Sequence, residues 1–197
     1  MSVPCTRCGR EYDVTLFEFG RTLWCTCGSR VGVEARIRHV GADAEVRFIA
    51  DAMLGRLAHW LRLLGFDCAY ESEIADAELV RRGVEQGRVV LTRDRALPDE
   101  WRASGICIVR AERTFEQLGE VVRRFDLARA VRLFTRCSEC NRRLAAASAA
   151  DLRGRAPASI LATHERLQEC PGCKRVYWEG SHTQRIQRVV EQLLAAG

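Results

Sequence analysis

Two stretches of this chain leave little choice of architecture: VRFIADAMLGRLAHWLRLL over 46–64 and RVVLTRDR over 88–95. Each is a run of buried-strand residues that ends on a carboxylate, Asp51 or Asp94, and passes straight into a helical pattern. Strand followed by helix, repeated, specifies a parallel sheet, and ligands of such sheets sit beyond the carboxyl ends of the strands. Two acids delivered to that edge can hold a divalent cation. The chain therefore reads first as a metal-dependent enzyme.

The same rhythm runs from 46 to 134. The helix after Asp51 carries Leu54, Leu57, Leu61 and Leu64 on one face and stops at Gly65. FDCAY predicts a second strand, 76–86 a helix bearing Leu79, Val80 and Val84, and RVVLT a third strand. A short helix near 98–103 leads to a fourth strand over 105–109. Thr114 then opens a helix with Gln117 completing a capping box and Phe115, Leu118, Val122 and Phe125 facing inward. Four such units with near-continuous apolar strands mean an α/β fold, a parallel sheet flanked by helices. Residues 1–45 read as a small β-rich metal module, with Phe17 and Phe19 in one strand and Val31, Val33, Ala35 and Ile37 alternating along another; Gly41 to Glu45 is its joint. Residues 135–197 form a third unit, with a strand over 175–178 and a closing helix carrying Ile186, Val189, Val190, Leu193 and Leu194.

Eight of the ten cysteines fall into close pairs: Cys5 with Cys8, Cys25 with Cys27, Cys137 with Cys140, and Cys170 with Cys173. Each end of the chain thus offers four thiolates for a closed, tetrahedral Zn²⁺ site of structural type. The pair Cys25-Thr26-Cys27 has one intervening residue where a knuckle usually has two, which points to a distorted site or another fourth ligand. Cys68 and Cys107 sit in strands and read as small buried apolar residues. Thiols paired for zinc, with no signal-peptide pattern at the start and no apolar run of about 18 residues, imply a cytoplasmic protein without a membrane span. The net charge of +5 is concentrated at the carboxyl-terminal end, where 135–197 holds ten basic against six acidic residues. Arg123, Arg124, Arg129, Arg132 and Arg136 lead into it, and such a patch suits a phosphate backbone. With Lys174 the only lysine, codon bias explains the arginine excess equally well.

Asp51, Asp76 and Asp94 each stand just before a helix, where an aspartate is also a good N-cap. Capping does not demand aspartate every time, however, and three acids at one sheet edge repel each other unless a cation sits among them. Glu78 is placed to reach the same ion; Asp99 and Glu100 fit a solvated helix start better. Arg56, Arg93 and Arg95 lie beside the acids, where they can steady a phosphodiester or balance charge.

The strings FIADAMLGRLAHWLRLLGFD, DAELVRRG, RVVLTRDRAL, RCSECNRRL and CPGCKRVYWEGSH, in that order, resemble the Mut-seven carboxy-terminal ribonuclease family, a branch of the PIN-like nucleases with a zinc ribbon appended. The resemblance implies a PIN-like fold whose acidic cluster binds Mg²⁺ or Mn²⁺ and cleaves RNA. By motif, Asp51, Asp76 and Asp94 are its acids, and no fourth acid stands out. His182 matches a further family motif and is a candidate substrate contact, or the cap of the last helix; Tyr177 and Trp178 either stack on a base or pack the ribbon. The amino-terminal module lies outside the resemblance. Two other readings stand beside the nuclease: an RNA- or ribonucleoprotein-binding adaptor whose acids only cap helices, and a phosphatase or phosphoacceptor. The last is disfavoured because Met53 occupies the position where such phosphatases place a second aspartate.

Overall fold

The computed structural model describes residues 1–37 and 45–195, the side chains of 181, 182 and 193–195 excepted. Most of the expected joint at 41–45 lies outside the described residues. The chain forms two compact units, 1–58 with 68–110 and 59–67 with 111–197.

The first unit begins with two hairpins, β1 (Ser2–Pro4) with β2 (Glu11–Asp13) and β3 (Thr22–Trp24) with β4 (Arg30–Gly32). Phe17 and Phe19 are not in a strand: 14–20 is a 3₁₀ turn, with Phe19 in the left-handed region. Asp13 causes this by accepting from both the Thr15 amide and hydroxyl, so the chain curls directly after β2. Val31 and Ile37 are buried as alternation requires, whereas Val33 is exposed.

The strands β5 (Phe48–Ala50), β6 (Cys68–Tyr70), β7 (Val89–Thr92) and β8 (Ile106–Ile108) form one sheet in the order β6-β5-β7-β8. Every pairing is parallel. All residues of β5 and β7 are buried, which explains their unbroken apolar sequence. Ile49 and Val90 meet Leu79 and Val80 of helix α2 (Asp76–Gln86), together with Leu97, Trp101 and Ile37. Full burial of each such side chain contributes roughly 1.5–3 kcal/mol. The helix expected near 98–103 is shorter, α3 (Leu97–Glu100), because Trp101 and Ala103 bridge instead to Arg21 and Ala35.

Helix α1 (Gly55–Leu63) follows β5, with Leu54, Leu57, Leu61 and Leu64 all buried. It ends as its glycine predicts. Gly65 adopts a positive φ, its N–H bonding Arg62 O while Phe66 N–H reaches back to Leu61 O. In the second unit, α4 (Thr114–Arg124) starts without the expected capping box. Arg113 is the N-cap, and the Gln117 side chain donates to the carbonyls of Ala111 and Glu112 instead. Phe115 is 45% exposed rather than inward, lying edge-on to Trp60 at 4.8 Å.

The unit closes with β9 (Ala145–Ala147), α5 (Ala158–Thr163), β10 (Leu167–Glu169), β11 (Val176–Trp178) and α6 (Ser181–Ala195). The three strands form an antiparallel sheet. Arginines staple this ribbon to the end of α1. Buried Arg62 donates to Ser138 O and Glu139 O, and Arg136 donates to Gly65 O and Asn141 O. Arg136 is thereby withdrawn from the basic surface run expected to begin around it.

Candidate functional site

Strand order explains how distant acids come together. Asp51 follows β5 and Asp94 follows β7, its neighbour in the sheet, and the ladder continues past β5 through Asp51 N–H to Leu91 O at 2.9 Å. Asp51 is 6% exposed, yet its carboxylate makes no capping bond; Oδ2 accepts from the buried Thr92 hydroxyl at 2.5 Å. The same hydroxyl oxygen accepts from Asp94 N–H at 3.0 Å, tying both strand ends to one side chain. Asp76 is the first residue of α2, after Ala75 as N-cap, and also caps nothing. Partial desolvation, then the charges of Asp51, Asp94 and Glu100, hold its carboxyl above the ordinary aspartate range. Asp94 closes an Asx turn, accepting from Ala96 N–H at 2.8 Å, but it does not cap α3, whose N-cap is Ala96.

The charges of Asp51, Asp94 and Glu100 thus all act on Asp76, with Asp51 buried and Asp76 and Glu100 exposed. Glu100 was legible only as a solvated helix start, because its approach to Asp76 depends on how α3 packs. Thr92 carried no signal at all beyond its place in RVVLTRD. Glu78, by contrast, turns away from this group. Arg81 and Arg82 grip it at 2.6 and 2.5 Å and bring its carboxyl down to about 2. Arg56, Arg93 and Arg95 are exposed. The His182 side chain lies outside the described residues.

A donor set made wholly of carboxylate oxygens, with charges that repel, suits a hard divalent cation. Among the described residues, the groups with three or more ligand atoms within 4.8 Å of one another are the two cysteine quartets, not the acids. An ion at this edge would therefore be held by one or two carboxylates plus water, the usual manner of Mg²⁺, rather than by a closed protein cage.

The cysteine quartets are closed. Sulfurs lie 3.7 Å apart for Cys5 and Cys27, 3.5 Å for Cys8 and Cys25, 3.5 Å for Cys137 and Cys173, and 3.2 Å for Cys140 and Cys170. A tetrahedron with Zn–S of about 2.3 Å has edges of about 3.8 Å, so each quartet has the dimensions to hold structural zinc. The short Cys25–Cys27 spacing does not break the first. At Cys5, Cys137 and Cys170 the knuckle closes through the N–H of the fourth residue on, and at Cys25 through Gly28, the third. Positive φ at Gly28 makes that tighter turn available. Each quartet also has a tyrosine. The Cys27 N–H and the Tyr12 hydroxyl bring the Cys25 thiol down to about 6. Tyr177 donates to Cys137 Sγ at 3.1 Å, so Tyr177 serves the sulfur site. Trp178, 37% exposed, lines a groove of about 860 Å³ within the second unit, together with His59, Glu139 and Arg175. Burial lowers the pKa of His59 there.

A four-stranded parallel sheet flanked by helices, joined in one chain to two cysteine quartets able to hold zinc, defines an α/β protein with ribbon-like modules. Residues 46–190 match the model of the Mut7-C RNAse domain, and the chain belongs to that family. The membership confirms the resemblance read from the motifs and points to a ribonuclease-type function. No curated protein and no solved structure matches the chain. Among the described residues no helix is long and apolar enough to cross a membrane.

Proposed function

We propose that the protein is a metal-dependent ribonuclease that hydrolyses RNA phosphodiesters at the acidic edge of its parallel sheet. The observation that carries this reading is the Asp51–Thr92–Asp94 linkage, with the Asp76 carboxyl raised by desolvation and then by the charges of Asp51, Asp94 and Glu100. Such a cluster costs stability and has no packing task. Asp51 and Asp94 would hold Mg²⁺ or Mn²⁺, with Asp76 as third ligand or acting through water. When bound, the ion lowers the pKa of a water and neutralises charge on the phosphate. The chain's own contributions are distinct. Thr92 fixes the Asp51 carboxylate in one orientation, and the sheet carries Asp94 beside it. Exposed Arg56, Arg93 and Arg95 draw in the phosphate backbone, with His182 as a further contact, so binding weakens as salt rises. Attack by water leaves 5′-phosphate and 3′-hydroxyl ends. The quartets hold Zn²⁺ and work structurally, in the reducing cytoplasm that keeps their thiols available. The three sequence segments 1–45, 46–134 and 135–197 serve as ribbon, nuclease domain and second ribbon.

The test is cleavage of single-stranded and structured RNA with Mn²⁺ by the protein and by Asp51→Asn. Loss of cleavage in the variant, with 5′-phosphate ends from the parent, is the expected result. Equal cleavage by both refutes the assignment.

A further inference from the structure

The amino-terminal ribbon lies outside the matched segment, and its quartet accounts only for its own folding. Its junction with the sheet is unexpectedly close. Arg102 N–H bonds Gly20 O at 2.7 Å, Ala35 N–H bonds Arg102 O at 2.8 Å, and Ser104 N–H bonds Ala35 O at 3.0 Å. A side chain at Gly20, where φ is +84°, would stand 2.3 Å from Arg102 O; one at Gly105 would stand 2.3 Å from Ile37. The ribbon is therefore built rigidly onto 99–104, the segment that directly follows the Asp94 turn.

The face it presents there is specific. Residues two apart in a strand share a face, so Thr22 and Trp24 point the same way. Register sets Arg30 opposite Trp24. Thr22 Oγ1 donates to Asp99 O at 2.8 Å, and Arg30 Nη1 pairs with Asp99 Oδ1 at 3.1 Å. This face thus docks on α3, the helix that carries Glu100. Trp24 nonetheless stays 66% exposed, with the Arg30 guanidinium 4.8 Å over its ring. One side of the indole is covered by a cation paired with Asp99, and the ring is left open to solvent, linked through Arg30 to the helix that carries Glu100. Tryptophan is on average a highly buried residue, and a fixed, exposed indole gives up little conformational entropy on binding.

We propose that Trp24, braced by Arg30, is a stacking platform for an unpaired base of the RNA whose backbone enters the acidic edge, an inference that rests on the ribonuclease reading of that edge. Stacking accepts any base, because every base has a π face, and it requires that the base be unpaired. The platform thereby selects single-stranded over duplex RNA without selecting sequence.

The experiment uses the full zinc-loaded chain carrying Asp51→Asn, titrated into a labelled single-stranded oligoribonucleotide of mixed sequence and, separately, into a blunt RNA duplex. Trp24→Ala in that background should weaken single-strand binding about tenfold or more and leave duplex binding unchanged. Trp24→Phe should recover most of the loss, and both variants should keep full zinc content. In the cleaving protein, Trp24→Ala should raise KM for single strands with kcat unchanged. Unaltered single-strand affinity in zinc-replete Trp24→Ala overturns the proposal. So does a change in sedimentation without a change in RNA affinity, which would mark the face as a protein contact. Should Asp51→Asn cleave like the parent while Trp24→Ala still loses affinity, the nuclease assignment falls and the platform stands. Should Asp51→Asn be inert and Trp24→Ala bind normally, the platform alone falls.

Discussion

Thr92→Val is the sharpest test of how the acidic edge is assembled. Thr92 is fully buried, and valine reproduces its shape while replacing one hydroxyl by a methyl. The parent hydroxyl donates to the Asp51 carboxylate at 2.5 Å and accepts from Asp94 N–H at 3.0 Å. A hydrogen bond to a charged group contributes about 1.5–3 kcal/mol and a neutral one about 0.5–1.5. Their joint loss should destabilise the first unit by about 2–4 kcal/mol. Thr92→Ser keeps both bonds and loses one buried methyl, at about 1 kcal/mol. Urea denaturation followed by tryptophan fluorescence, which includes buried Trp101 in this unit, reads both. Valine should be the worse substitution by about 1–3 kcal/mol. In an Asp51→Ala background that excess should shrink, because the acceptor has gone. If serine costs more than valine, packing governs the position, and the hydroxyl does not organise the acids.

Asp76→Asn should raise the unfolding midpoint in metal-free buffer at neutral pH while abolishing cleavage. Its folded carboxyl is held above the ordinary range, so ionisation works against the fold; the gain should shrink as pH falls from that raised pKa and be gone below the ordinary aspartate range, where both states are protonated. Gly65→Ala should cost more than about 1 kcal/mol, since φ is +97° and the new methyl would lie 2.3 Å from Arg132 O; a smaller loss by thermal denaturation refutes the helix-stop argument. Cys5→Ser should halve the zinc content measured by atomic absorption and destabilise the first unit, while leaving the carboxyl-terminal quartet loaded.

Periodicity made the sheet and its helices readable, because β5 and β7 are buried on both faces and α1 and α2 on one. The four-residue motif Cys-x-x-Cys likewise announced the second quartet. What escaped was set by partners distant in sequence. Helix α3 stops at Glu100 because Trp101 and Ala103 leave it to pair with Arg21 and Ala35. Gln117 abandons its capping box for two carbonyls upstream. Phe17 and Phe19 have the composition of a strand, and one aspartate, Asp13, curls them into a turn. All three aspartates have the sequence position of helix caps and none makes a capping bond: Asp51 binds Thr92, Asp94 closes an Asx turn, and Asp76 lies inside α2 under neighbouring charges.

Ile37 fills a notch against Gly105, which must lack a side chain for it to fit, with Gly83 bordering the same notch. A chain trimmed to the family segment would open that notch to water and leave the amides of Arg102 and Ser104 with no acceptor. The inherited module and the part that folds are therefore different lengths of polypeptide, and the shorter one should be prone to aggregate.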